Sequence, residues 1–217
     1  SLGNFISREQ IAEICDEYTV DVFRYFLLRA VSFGSDGDFS RDMLRSRYNN
    51  ELANGVGNLL NRTLNMISRY FDGAAPAAEG DLGGADREVR AAAADLRDHA
   101  IELMERCQFH HYLDKVFALE GATNRFIDAT EPFKLAKDPE QKARVASILH
   151  TCAEAVRIVL LYLWPIMPET AEAGLAQLGQ SLPNEPLQDV TAWDRIAPGT
   201  AVSKGQPLFP RKLEPEG

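Results

Sequence analysis

Along most of the chain, apolar residues recur at the three-and-four spacing that gives a helix one buried stripe. Ser7 with Gln10 three positions on forms a capping-box pattern, and Ile11, Ile14 and Cys15 then share a face, which predicts a short helix over about 8–17. Thr19 and Asp21 open a second helix, in which Val22, Phe23, Phe26, Leu27 and Ala30 form the stripe and Gly34 marks the close. Ser32 to Phe39 holds too much glycine for a helix, and its ends support at most short strands. Residues 1–40 therefore read as a small mixed α/β subdomain.

Ser40 caps a long helix carrying Leu44, Tyr48, Leu52, Val56, Leu59, Leu60, Leu64, Ile67 and Tyr70 on or near one stripe. Its middle, with Asn49, Asn50, Asn54, Gly55, Gly57 and Asn58, is poor in helix formers, which predicts a kink or a close approach by another element. Residues 73–85 are a loop by composition, and further helices are expected over about 86–107, 109–129, 138–164 and 168–179. Thr130-Glu131-Pro132-Phe133 breaks the pattern, because the residue before a proline avoids helical geometry. A tail with Pro183, Pro186, Pro198, Pro207 and Pro210 is expected to lie extended over the helices. The fold class is thus mainly α: an antiparallel helix bundle over 41–217, preceded by the mixed subdomain.

The chain has 217 residues, 45% of them apolar and 25% charged, which excludes disordered, collagen-like and disulfide-scaffold classes. Its formal charge of -9 has the wrong sign for holding nucleic acid by bulk electrostatics, so any such contact must be local. Three scattered cysteines read as a reduced, cytoplasmic protein. The apolar run from Ile158 to Met167 is broken by Pro165 and is about half of what a bilayer span needs, and no secretory leader is visible before Phe5.

Catalytic chemistry is not found. Gly55-Val56-Gly57-Asn58 lacks the preceding strand of a phosphate loop, and no serine or histidine context suits a nucleophile. Cys107, His110 and His111 have two-ligand spacing but no closed set of four, so no metal site is expected. Asn58 and Arg62, four residues apart, place a carboxamide and a planar guanidinium on one helical face, where they can meet a base edge or an ordinary solvated surface. Pro132-Phe133 ends a helix where a loop can present an aromatic ring for stacking, or bury it. Arg41, Arg45, Arg47, Arg62 and Arg69 against Asp42 and Glu51 make residues 41–71 locally basic.

In these motifs the chain resembles the C-terminal part of bacterial methionyl-tRNA synthetases. Ser1-Leu2-Gly3-Asn4 resembles the continuation of that family's Lys-Met-Ser-Lys-Ser signature, with Ser1 as its last serine. Val22 to Arg29 and Gly34 to Ser40 resemble the stem-contact fold, and Asn49 to Asn54 with Asn58 to Arg62 resemble the first helix of the anticodon-binding domain. Pro132-Phe133-Lys134-Leu135-Ala136-Lys137 is similar to the family's Pro-Trp loop, with Phe133 in place of tryptophan, and Pro207 to Arg211 resembles its final segment.

The resemblance implies that Asn58 and Arg62 read anticodon bases of methionine-accepting tRNA and that Pro132 and Phe133 form the loop on which the first anticodon base stacks. It implies a parent ligase that joins methionine to its tRNA. The catalytic part, with ATP, magnesium and the family's zinc knuckle, would lie before Ser1, and this chain alone would be inactive and cofactor-free. The implied partners are that tRNA and the catalytic domain, with neither DNA nor membrane. The competing reading is a helical interaction scaffold with no RNA role. The two differ at Phe133, which a stacking platform leaves exposed near Arg62 and a scaffold core encloses.

Overall fold

The computed structural model describes residues 6–30, 34 and 39–212, apart from the side chain of Gln188. Helix α1 (Arg8–Tyr18) starts on the expected reciprocal cap: the Ser7 hydroxyl accepts from the Gln10 amide, and the Gln10 side chain accepts from the Ser7 N–H. Helix α2 (Val20–Ala30) buries Val22, Tyr25 and Phe26; residues 31–33, between it and the expected stop at Gly34, lie outside the described residues. The short strands foreseen between Ser32 and Phe39 fall mostly on 31–33 and 35–38, outside the described residues. The elements described within 1–40 are the helices α1 and α2, so the mixed α/β character is not seen among the described residues.

The single long helix expected from Ser40 is three segments end to end: α3 (Arg41–Arg47), a π-helical run over Tyr48–Gly57, and α4 (Asn58–Tyr70). A π-turn bonds residues five apart and is wider than an α-turn, so it redirects the side chains without breaking the rod. The Asn and Gly residues that argued against a helix interior fall on this run, and close approaches exploit them. A Cβ on Gly57 would lie 3.3 Å from the Phe209 ring, and one on Gly55 would lie 3.4 Å from Glu120 Oε1. The tail is strapped across the same run. The Asn49 carboxamide donates to Lys212 O (2.8 Å) and accepts from Lys212 N (3.0 Å), while the Tyr48 hydroxyl donates to Pro210 O (2.8 Å).

Helix α5 (Arg87–Glu105) lies along α6 (Phe109–Thr130), which packs on α8 (Lys142–Leu163), as does α4. The helix expected from 138 begins at Lys142, preceded by the short α7 (Pro132–Leu135) and a 3₁₀ turn at Pro139–Gln141, where prolines set the backbone. Helix α8 is the centre of the bundle, buried from Val145 to Leu163. The stretch Pro139–Leu163 is long and apolar enough to cross a membrane, but its apolar window is 100% enclosed by the other helices.

An ion pair and a histidine of α8 fix the tail. Arg157 bonds Glu154 and donates to Val190 O (2.5 Å) and Ala192 O (2.6 Å), while Glu154 accepts from Ile196 N. The His150 ring lies within hydrogen-bond distance of Pro76 O and Asp194 Oδ1. After α9 (Pro168–Gln177) the tail is extended, as expected. It contains one short helix, α10 (Leu187–Val190), and an isolated bridge between Ala74 and Ala201.

Candidate nucleic-acid interface

The loop after α6 is built by three consecutive residues. Glu131 takes the left-handed conformation (φ 46°, ψ 52°), which turns the chain out of α6. Pro132 follows as the first residue of α7, where its missing N–H leaves no bond unmade. The turn is then closed by Lys134 N–H donating to Glu131 O (2.8 Å), Ala136 N–H donating to Pro132 O (2.9 Å) and the Lys134–Glu131 ion pair (2.6 Å). Pro132 is buried and anchors the loop, whereas the adjacent Phe133 is 42% exposed. A ring held on a short, hydrogen-bonded turn with nearly half its surface in water meets the geometric requirement for a stacking platform.

Asn58 is the first residue of α4 and is exposed; among the described residues its carboxamide has no partner. Arg62, one turn on, does not stand free. Its guanidinium donates to Asp128 Oδ1 (2.7 Å) and, at a longer 3.4 Å, to Asn124 Oδ1, both on the last two turns of α6. Two of its five donors are thereby occupied, and the side chain keeps 32% exposure. Asp128 lies only five residues before Phe133, so the ion pair binds α4 to the helix end from which the aromatic loop springs. Arg62 is thus tied to the helix that leads into the Pro132–Phe133 loop, and Asn58 lies one turn back along the same rod, where α4 follows the π-helical run.

The sequence reading passed over Asn124 and Asp128, and behind them Glu120. Their spacing of four, Glu120-Asn124-Asp128, is the same row signal that singled out Asn58 and Arg62. Glu120 accepts from the Asn124 amide and lies against the π-helical run. Burial, opposed by the Asn124 bond and by Arg125 and reinforced by Glu51, pushes its carboxyl up to about 7. Further along the same seam Glu51 accepts from the Tyr25 hydroxyl, Arg29 Nε (3.1 Å) and Arg47 (3.1 Å), and Arg29 also donates to Asp114 (2.6 Å).

The local basicity of 41–71 is largely cancelled in three dimensions. Arg41 pairs with Glu13 and Glu17 of α1, Arg45 with Asp42, Arg47 with Glu51 and Arg62 with Asp128. Exposed pairs of this kind contribute little stability, but they offset the charge of four of the five arginines; the fifth, Arg69, lies over the Tyr70 ring.

Residues 1–64 match the family described as tRNA synthetases class I (M). Over 97% of its length the chain is 38% identical to the methionine–tRNA ligase of Caldanaerobacter subterraneus subsp. tengcongensis, and over its whole length 38% identical to that of Bacillus subtilis. It spans 32% of the length of each of these relatives. Among solved structures, apo methionyl-tRNA synthetase from Mycobacterium tuberculosis superposes with a TM-score of 0.85 at 34% identity, covering 94% of this chain and 41% of that one. The same enzyme bound by methionyl-adenylate superposes with a TM-score of 0.86 at 33% identity, covering 97% and 41%. On sequence and fold together, the chain belongs to the methionyl-tRNA synthetase family, of whose members it spans about a third.

Proposed function

We propose that this chain recognises the anticodon of methionine-accepting tRNA on behalf of a ligase that joins methionine to that tRNA with ATP. The observation that carries the reading is the exposed Phe133 on its anchored turn, beside the helix end that holds Arg62. Each part then has a chemical task. The Phe133 ring stacks on a splayed base, an interaction worth about 1–3 kcal/mol. The Asn58 carboxamide offers donor and acceptor together, and the remaining donors of Arg62 face a base edge with the orientation that Asp128 imposes. A wrong base leaves these polar groups unpaired, and that penalty is the source of discrimination. With Arg41, Arg45, Arg47 and Arg62 paired and its charge at -9, the bundle depends on this local chemistry rather than on counterion release.

The exposure of Phe133 favours this reading over a scaffold, which would have enclosed the ring. ATP with magnesium, the family's zinc and methionine activation are assigned to the part of the relatives that this chain does not span, in a cytoplasmic enzyme. The test is binding of the chain, at fixed salt, to the anticodon stem-loop of a methionine tRNA and to the same loop with its first anticodon base changed. Preference for the methionine loop is expected, with Arg62→Ala reducing that preference by about 1–3 kcal/mol, from about fivefold to about 150-fold, in a folded protein. An unchanged preference in Arg62→Ala refutes the assignment of Arg62, and equal binding of both loops by the unsubstituted chain refutes the reading as a whole.

A further inference from the structure

We propose that Glu120 is a positioning residue for the candidate anticodon site: by accepting from the Asn124 amide it turns that side chain's carbonyl oxygen toward Arg62 and so sets the guanidinium. Its relevance to RNA rests on the reading above, while the relay itself is a property of the free protein. An amide is two-faced, with donors at one end and an acceptor at the other. An ionised carboxylate is only an acceptor, so it requires the N–H₂ end of Asn124 and leaves the oxygen for Arg62. Arg62 is then held from two sides, by Asn124 Oδ1 and by Asp128 Oδ1. A protonated Glu120 can instead donate to Asn124 Oδ1. The amide then rotates, and its N–H₂ meets the N–H groups of Arg62, two sets of donors that cannot bond. Only Asp128 continues to hold the guanidinium.

The surroundings of Glu120 place its proton exchange near neutrality, at about 7, chiefly through burial. From its own helix it faces Asn124 and Arg125, the latter tied to Glu88 of α5, and from the π-helical run it faces Glu51. Glu51 is itself compensated by Arg29, Arg47 and the Tyr25 hydroxyl. Beyond Asn124 lie Arg62, Asp128 and, on α8, the Cys152 thiol, which burial pushes up to about 12 and so keeps neutral across this range. Glu120 therefore changes charge between about pH 6 and about pH 8.

The experiment follows the Arg62 Nε–H and the Asn124 carboxamide of the RNA-free chain by nitrogen-15 NMR between about pH 5.5 and about pH 8.5, in the unsubstituted protein and in Glu120→Gln. Gln accepts from Asn124 but cannot ionise. The two signals are expected to move together with a midpoint near 7, and neither is expected to move in Glu120→Gln. Asn124→Leu, which removes the middle member, is expected to abolish the Arg62 transition. A static Arg62 signal in the unsubstituted protein, or the same transition in Glu120→Gln, overturns the relay. In a second arm the preference for the methionine stem-loop is measured at both ends of the range. It is expected to be several-fold larger at the alkaline end in the unsubstituted chain and constant in Glu120→Gln. Titrating spectra with a pH-independent preference overturn the positioning role, whereas titrating spectra with no preference at either pH leave the relay standing and refute the anticodon reading.

Discussion

Replacing Glu120 by glutamine should stabilise the fold at alkaline pH and have little effect in acid. The carboxyl sits at about 7 against an ordinary 4.5, with burial as the largest cause. At about 1.36 kcal/mol for each pH unit, the ionised form costs the folded state about 3 kcal/mol relative to the unfolded chain. For an acid whose folded value is raised, this cost is absent below the unfolded value, grows as pH rises, and is complete above the folded value. Stability from this group is therefore greatest below about 4.5 and has been lost once pH passes about 7. Gln keeps the volume and the acceptor for Asn124 without the charge. Glu120→Gln is thus expected to be about 2–3 kcal/mol more stable than the unsubstituted protein at about pH 8.5, and less than about 1 kcal/mol more stable at about pH 5. Urea unfolding followed by circular dichroism reads this directly, since a slope of about 2 kcal/mol/M turns the alkaline difference into a midpoint shift of about 1 M. Comparing the two proteins at each pH cancels every other titrating group. A variant destabilised by the same amount at both pH values would mean that the ionised carboxylate is satisfied where it sits, and the desolvation argument would be refuted.

Two further substitutions probe the loop and the tail anchor. Phe133→Trp should leave stability within about 0.5 kcal/mol, because the ring is 42% exposed on a surface turn, while tightening stem-loop binding several-fold through a larger stacking face; weaker binding would show that the ring is not a platform. Arg157→Met should cost about 3–5 kcal/mol, since it leaves Glu154 buried at 0% exposure and removes the donors to Val190 O and Ala192 O. Adding Glu154→Leu should recover part of that loss, and a single-variant cost under about 1 kcal/mol in urea unfolding would contradict the buried-pair argument.

The features legible in the sequence were those written in nearest neighbours. The Ser7–Gln10 cap, the break at Pro132 and the apolar core of α8 follow from residues within a few positions of one another. The π-helical run was visible only as a defect. Asn49, Gly55 and Gly57 are wrong for an ordinary helix interior, and their reasons, the Lys212 backbone, the Glu120 carboxylate and the Phe209 ring, lie from about 65 to about 160 residues further along the chain. The same limit applied at the candidate site. Spacing put Asn58 with Arg62 on one face, and the helix-breaking proline put Phe133 on a loop. Nothing local says that Arg62 meets Asp128, because the pairing of α4 with α6 is a tertiary fact. The local excess of arginine was misleading for the same reason, since the acids that cancel it come from α1, from α6 and from within the segment itself.

That cancellation bears on how an acidic bundle can handle a polyanion at all. A cationic face attracts every RNA equally, so the affinity it supplies carries no information about sequence. Here each arginine along α3, the π-helical run and the start of α4 is held by a carboxylate, and the Arg62 guanidinium is held by a carboxylate and an amide. Holding it restricts its rotamers before any ligand arrives, so less ordering remains to be done on binding. It also makes a mismatched ligand compete with Asp128 for the guanidinium without a compensating bond. Discrimination by such a site depends on how well Arg62 is aimed rather than on how much positive charge surrounds it. Its aim is set by two residues of α6, and one of these, Asn124, takes its orientation from Glu120.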